Sequence, residues 1–284
     1  MTERLLMVLA LGASGYAAAA LLVPALVRVL ADGGFVGKNF RGRPIPKGMG
    51  VAVPLATLPP LALLAWMGAP LSLILMWLAL QFGMAFLGLF DDAAGDRRHG
   101  GFREHFRALL AGRVTTGALK ALYGGGLALL AGWALTGTLP RALLAGAVIA
   151  LAANAINLLD VRPGRALKGF ALLAGAGVCG IALWNPPAPW HWFHLAAGAA
   201  VAGAGAALLG GDLRGEHMLG DAGSNLFGSV GGLLLAAGPL WWQGVWALLL
   251  VAMHLYAERR SLTRAIEGVK LLDLLDRWGR PKDG

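Results

Sequence analysis

Acidic side chains are scarce in this chain and stand where they are costly. Asp91 and Asp92 are adjacent at the end of an apolar stretch, in "GLFDDAAGD" (88–96), and Asp160 closes "NAINLLD" (154–160). Asp221 follows a glycine in "MLGDAGSNLFG" (218–228). A carboxylate at the edge of hydrocarbon is unfavourable unless it is paired, hydrated or bound to a cation, and an Asp at a helix C-terminus also opposes the helix dipole. Their hard oxygens suit Mg²⁺, with Mn²⁺ as the alternative, part of the shell being left to water and phosphate. Asp91, Asp92 and Asp221 are therefore the candidate catalytic residues, with Asp221 and Asp92 as the candidate metal ligands.

Around them are groups that could bind substrate. Asn154, Asn157 and Asp160 follow one another at intervals of three residues, which predicts one polar helix face. That face either lines a pocket or joins neighbouring helices by hydrogen bonds. In the Gly-Asp-x-Gly-Ser segment, Gly220 and Gly223 allow a tight turn, and free N–H groups at the following helix start could cradle a phosphate with Gly223 and Ser224. A plain helix cap by Asp221 or Ser224 is the bland alternative. Lys47, in "RGRPIPKGMG" (41–50), and Arg103 and His105, in "FREHF" (102–106), add cationic partners for phosphate.

The elements that must position these residues are membrane helices. The 284 residues are 57% hydrophobic and only 14% charged, and the apolar residues come in runs long enough to cross a bilayer. Nine runs are marked, at about 5–30, 49–68, 71–90, 117–136, 141–159, 169–184, 194–211, 225–239 and 243–257. The first is read as a span and not as a removed signal. Charged connections alternate with short uncharged ones, and putting the charged set on one side leaves only Arg4 and Arg141 opposite. The positive-inside rule makes that side the cytoplasm. The +9 formal charge then needs no nucleic acid to explain it. Cys179 is the only cysteine, which excludes a disulfide framework and a thiolate metal cluster.

The expectation is an all-α polytopic membrane protein of about nine transmembrane helices, N-terminus out and C-terminus in, acting alone or as a homodimer. Residues 1–257 form the membrane domain. Residues 258–284 form a basic cytoplasmic tail, whose Leu262, Ile266, Val269, Leu272 and Leu275 predict an amphipathic helix lying on the membrane surface.

"GLFDDAAGD", "NAINLLD" and "MLGDAGSNLFG", in this order and at cytoplasmic helix ends, resemble the polyprenyl-phosphate N-acetylhexosamine-1-phosphate transferases. This glycosyltransferase family 4 group includes the phospho-N-acetylmuramoyl-pentapeptide transferase of peptidoglycan synthesis. The likeness covers roughly residues 10–240. It implies Mg²⁺-dependent transfer of a sugar 1-phosphate from a UDP-sugar to a polyprenyl phosphate, releasing UMP, in cell-wall biogenesis at a bacterial inner membrane. It further implies that Asp91 and Asp92 assist the lipid phosphate, that Asp221 binds Mg²⁺, and that Asn157 and Asp160 help form the nucleotide-sugar pocket.

The chain departs from the family pattern in three places. "DVRPGR" (160–165) stands where the family reads Asp-Gly-x-Asp-Gly, and "GGDLRGEHM" (210–218) lacks the usual base-binding Asn and aromatic residue. The basic tail stands where the family has a His-rich loop and a last span. The alternatives are a non-catalytic or altered-substrate relative, a CDP-alcohol phosphatidyltransferase, and a transporter or scaffold. The phosphatidyltransferase motif is missing, and a transporter would place ionisable groups near mid-bilayer.

Overall fold

A computed structural model of the chain describes residues 2–94, 116–183 and 190–281. It is a helical bundle with one small ribbon. In chain order the elements are α1 (Thr2–Asp32), β1 (Val36–Lys38), β2 (Pro44–Pro46), α2 (Ala52–Ala56), α3 (Leu58–Trp66), α4 (Leu71–Ala94), α5 (Thr116–Thr136), α6 (Leu139–Leu159), α7 (Arg165–Ala182), α8 (His191–Arg214), α9 (Gly220–Ala236), α10 (Leu240–Ala257), α11 (Leu262–Glu267) and α12 (Lys270–Arg277). Among the described residues, seven helical segments are long and apolar enough to cross a membrane. The chain is thus a multi-pass helical membrane protein.

The remaining two expected runs are also helices, but of different kinds. The fourth run is α5, and the eighth is α9, which at 17 residues is short. The helix α9 begins five residues earlier than the run predicts, so the Gly-Asp-x-Gly-Ser segment is its first turn and not a loop before it. Every residue of α9 except Asp221 is buried. It is the central post of the bundle, packed by α4, α6 and α7. Small residues let those neighbours approach: a side chain at Gly228 would meet the backbone of Ala152 and Ala153 on α6, and one at Gly232 would meet Ile149. Bilayer helices associate through this kind of close backbone contact, because lipid supplies no hydrophobic drive between them.

The second run is interrupted. A single 3-10 turn (Met49–Val51) leads into α2 and α3, which part at Thr57 just before Pro59 and Pro60. The Thr57 hydroxyl lies within hydrogen-bond distance of the carbonyl of Pro54 (3.2 Å) and of Gln81 Oε1 on α4 (2.9 Å), which ties the break to α4.

Residues 36–46 form an antiparallel hairpin pairing Val36 with Pro46. One expectation needs revision. The tail is not one amphipathic helix: α11 and α12 are separated at Gly268 and Val269, where Val269 turns extended (φ −115°, ψ 109°). The apolar face expected to run from Leu262 to Leu275 is therefore broken in two.

Candidate functional site

Three helix ends and the hairpin meet at one end of the bundle. The last turn of α4 brings Asp91 and Asp92, the first turn of α9 brings Asp221, and α5 brings Lys120 from one turn inside its start. Their closeness depends on glycine. A Cβ at Gly88 on α4 would collide with the backbone of Asp221, and one at Gly50 would collide with that of Gly223. Gly220 takes φ +66°, a left-handed conformation that glycine adopts without strain, and so lets α9 start beside Asp92.

Lys120 Nζ donates to Asp221 Oδ2 (2.6 Å) and to Asp91 Oδ2 (3.2 Å). The three side chains remain 20–29% exposed, open enough to meet a ligand. Asp92 is different, with only 3% of its side chain exposed. Its Oδ2 accepts the backbone N–H of Asp221 (2.9 Å), and its Oδ1 pairs with Lys47 Nζ (2.6 Å). Asp92 thereby caps α9 from another helix, meeting both an orphan N–H and the positive end of the dipole. Lys47 is placed by backbone pairing to the strand-like stretch before α9: Met218 N–H donates to Pro46 O (2.8 Å), and Met49 N–H to Met218 O (3.1 Å). Asn39 fastens the hairpin tip by donating to the Gly215 carbonyl (2.9 Å).

The polar stripe on α6 resolves into separate roles. Asn157 Nδ2 donates to Ser224 Oγ on α9 (2.9 Å), an interhelical bond next to Asp221. Asn154 is exposed and does not join this group. Asp160, at the end of α6, lies partly buried within reach of other acidic groups. Burial first, and then the charges of Asp212, Asp221 and Asp92, hold its carboxyl well above the usual range. Asp212 does not face the open site: it is buried and accepts the N–H of Gly164 (2.6 Å), tying α8 to the 160–164 turn. Glu216 is exposed and pairs with Arg214 (2.7 Å). His217 is buried against Gly211, and desolvation pushes it down to about 4, so it is neutral at physiological pH.

Gly223 and Ser224 are buried in helix packing, and the Gly223 N–H already donates to Leu219 O (3.3 Å). The phosphate cradle expected from them is closed by α9 itself, and Asp92 holds the helix N-terminus in its place. Arg103 and His105 lie outside the described residues.

Lys120 is the residue that the sequence reading overlooked. As a lysine one turn inside an apolar run it would be expensive alone, and that cost was the available signal for a carboxylate partner. Lys47 and Lys120 together answer two of the three carboxylates Asp91, Asp92 and Asp221, leaving a formal charge of −1, while Asp160 is shifted toward its neutral form.

Among the described residues no group of three His, Cys, Asp or Glu side chains is arranged to hold a metal. Mg²⁺ ordinarily asks for less, one or two carboxylates with water and substrate phosphate completing the octahedron. The Lys120 ammonium reaches both Asp91 and Asp221, so these two carboxylates face one point. The donor set fits Mg²⁺ on those terms. Asp91 shares the position with Asp221, whereas both oxygens of Asp92 are engaged elsewhere. No protein-family model matches the chain, and no curated protein matches it, so its own residues carry the functional reading.

Proposed function

We propose that this protein transfers a sugar 1-phosphate from a UDP-sugar to a polyprenyl phosphate at the cytoplasmic face of a bacterial inner membrane, starting a cell-envelope glycan. The observation that carries this reading is the Asp91–Lys120–Asp221 bridge at a membrane-helix end, braced by Asp92 and Lys47. It combines a surplus of negative charge for a divalent cation with two ammoniums for phosphate. The motif order supports the same reading, as does a multi-pass bundle with seven helices long and apolar enough to span among the described residues.

In the reaction, an oxygen of the lipid phosphate attacks the β-phosphorus of the donor. The bond from that phosphorus to the bridging oxygen breaks, and UMP leaves with the electron pair. No proton need move at a phosphate that arrives ionised, so catalysis is a matter of alignment and charge. Mg²⁺, when bound, supplies offsetting charge at the diphosphate. Asp91 and Asp221 are the residues that would hold it. Lys120 would turn from its carboxylates to an incoming phosphate oxygen, and Lys47 would guard the lipid side while Asp92 keeps α9 in place. Asp160, at the far side of the cluster, belongs to the nucleotide-sugar pocket. A site at helix ends suits two substrates that arrive from different phases, one in the bilayer and one in water.

The test is turnover by purified protein in detergent with undecaprenyl phosphate, Mg²⁺ and a panel of UDP-sugars. UMP release that needs all three components and is lost in Asp221→Asn is the expected result. Absence of UMP with every donor sinks the proposal. UMP release without added lipid would make the protein a hydrolase instead.

A further inference from the structure

The most organised ionic cluster outside the site lies behind it, where residues 262–281 close on the turn that follows α6. Arg165 is nearly fully buried and donates Nε to Asp276 Oδ1 and Nη2 to Asp276 Oδ2, both at 2.8 Å, and Nη1 to Thr263 Oγ1 (2.9 Å). Asp276 Oδ1 also accepts from Arg280 Nη2 (2.6 Å). Lys168 Nζ donates to the carbonyls of Asp276 and Trp278, both at 2.7 Å, satisfying groups that the end of α12 leaves open. Arg280 Nε then reaches back to the carbonyl of Pro163 (2.8 Å). A bidentate Arg–carboxylate pair fixes direction as well as distance.

We infer that residues 262–281 are a positioning part of the site, in which Asp276 and Arg280 grip the turn 160–165 and so hold the Asp160 carboxylate in place. For what Asp160 does, this rests on the transferase reading. The turn needs an outside hold. Pro163 has no N–H to donate, and the acidic groups around Asp160 disfavour its ionised form. Asp212 restrains the turn at Gly164, and the C-terminal segment restrains it at Pro163 and Arg165, on either side of Gly164. The same residues 160–165, "DVRPGR", are where the chain departs from the family pattern, so the grip stands where the turn's own sequence differs.

The experiment measures hydrogen exchange over 160–168 in the full-length protein and in Asp276→Asn, with Asp276→Glu as the conservative rescue. Exchange at the Gly164 amide is expected to rise about tenfold in Asp276→Asn and to return to within about threefold of the parent in Asp276→Glu. Arg280→Gln removes only the Pro163 contact and the outer pairing, and it gives the same direction should Asp276→Asn fold poorly. Unchanged exchange in both variants overturns the inference. In turnover, a loosened turn raises KM for the UDP-sugar about fivefold and leaves KM for the lipid phosphate and kcat near the parent values. A fall in kcat with both KM values unchanged overturns the role given to Asp160. Variants that loosen as described, in a parent that turns over no UDP-sugar, reject the transferase reading and leave the grip standing.

Discussion

Replacing Lys120 by methionine separates its two jobs. Methionine keeps the unbranched stem and removes the ammonium that now joins Asp91 and Asp221. A lysine and a divalent cation about 4 Å apart repel by about 2 kcal/mol even at the dielectric of water, and by more in a partly desolvated site. Removing the lysine therefore tightens Mg²⁺ binding by at least about tenfold, since about 1.4 kcal/mol is a factor of ten. Turnover moves the opposite way. A charge aimed at a phosphoryl oxygen in a water-poor site is worth about 3 kcal/mol, so kcat falls on the order of 100-fold. Calorimetric titration with MgCl₂ in detergent measures the first effect, and steady-state release of UMP at saturating Mg²⁺ the second. A Lys120→Met protein that binds Mg²⁺ no more tightly than the parent refutes the idea that lysine and metal compete for one bridge. A protein that keeps full kcat refutes the catalytic role.

Further outcomes follow from the same geometry. Asp92→Ala leaves Lys47 unpaired and uncaps α9, so it should cost about 2–3 kcal/mol of stability, read as a Tm several degrees lower, while Mg²⁺ affinity changes little; an unchanged Tm contradicts the capping role. Gly88→Ala forces α4 away from the backbone of Asp221; turnover should vanish with helical circular dichroism intact, and near-parental turnover would show that the α4–α9 contact does not set the site. The grip of the C-terminal segment should depend on acid. Burial alone would raise the Asp276 carboxyl, but hydrogen bonds from Arg165 and Arg280 outweigh it and bring the group down to about 2. The pairing's contribution, about 2 kcal/mol, is complete above the unfolded value near 4 and is lost as pH falls from about 4 through 2. Paired spin labels on Cys179 and Leu274→Cys should report one narrow distance at pH 5 that broadens only below pH 4; broadening already at pH 5 to 6 would exclude Asp276 as the anchor.

What could be read from the sequence divides along physical lines. Apolar runs are set by the thickness of the bilayer, so helices appear where hydrophobicity predicts them, including the interrupted one at Pro59 and Pro60. Carboxylates at helix ends were legible because their cost demands a reason, and Asp91 and Asp221 share the ammonium of Lys120. Side-chain direction was harder. Residues three apart drift by about 60° around a helix, so Asn154 and Asp160 are about 120° apart, enough to leave Asn154 exposed while Asn157 faces α9. Lys120 was hidden among the lysines and arginines expected on the cytoplasmic side, since charge asymmetry explains a cation without asking what it touches. The sequence carries no hint that the first turn of α9 comes within hydrogen-bond distance of Asp92, so a role as helix cap is not legible there. The grip between Arg165 and Asp276 spans 111 residues, a separation over which local periodicity carries no information.

The central claim is best tested by following a labelled atom. With the donor labelled at its β-phosphate, Mg²⁺ and undecaprenyl phosphate, the account predicts that the label enters the lipid fraction as a diphosphate-linked sugar while unlabelled UMP accumulates in equal amount. Label that stays with the intact donor, or that appears in water as free sugar phosphate, would contradict it.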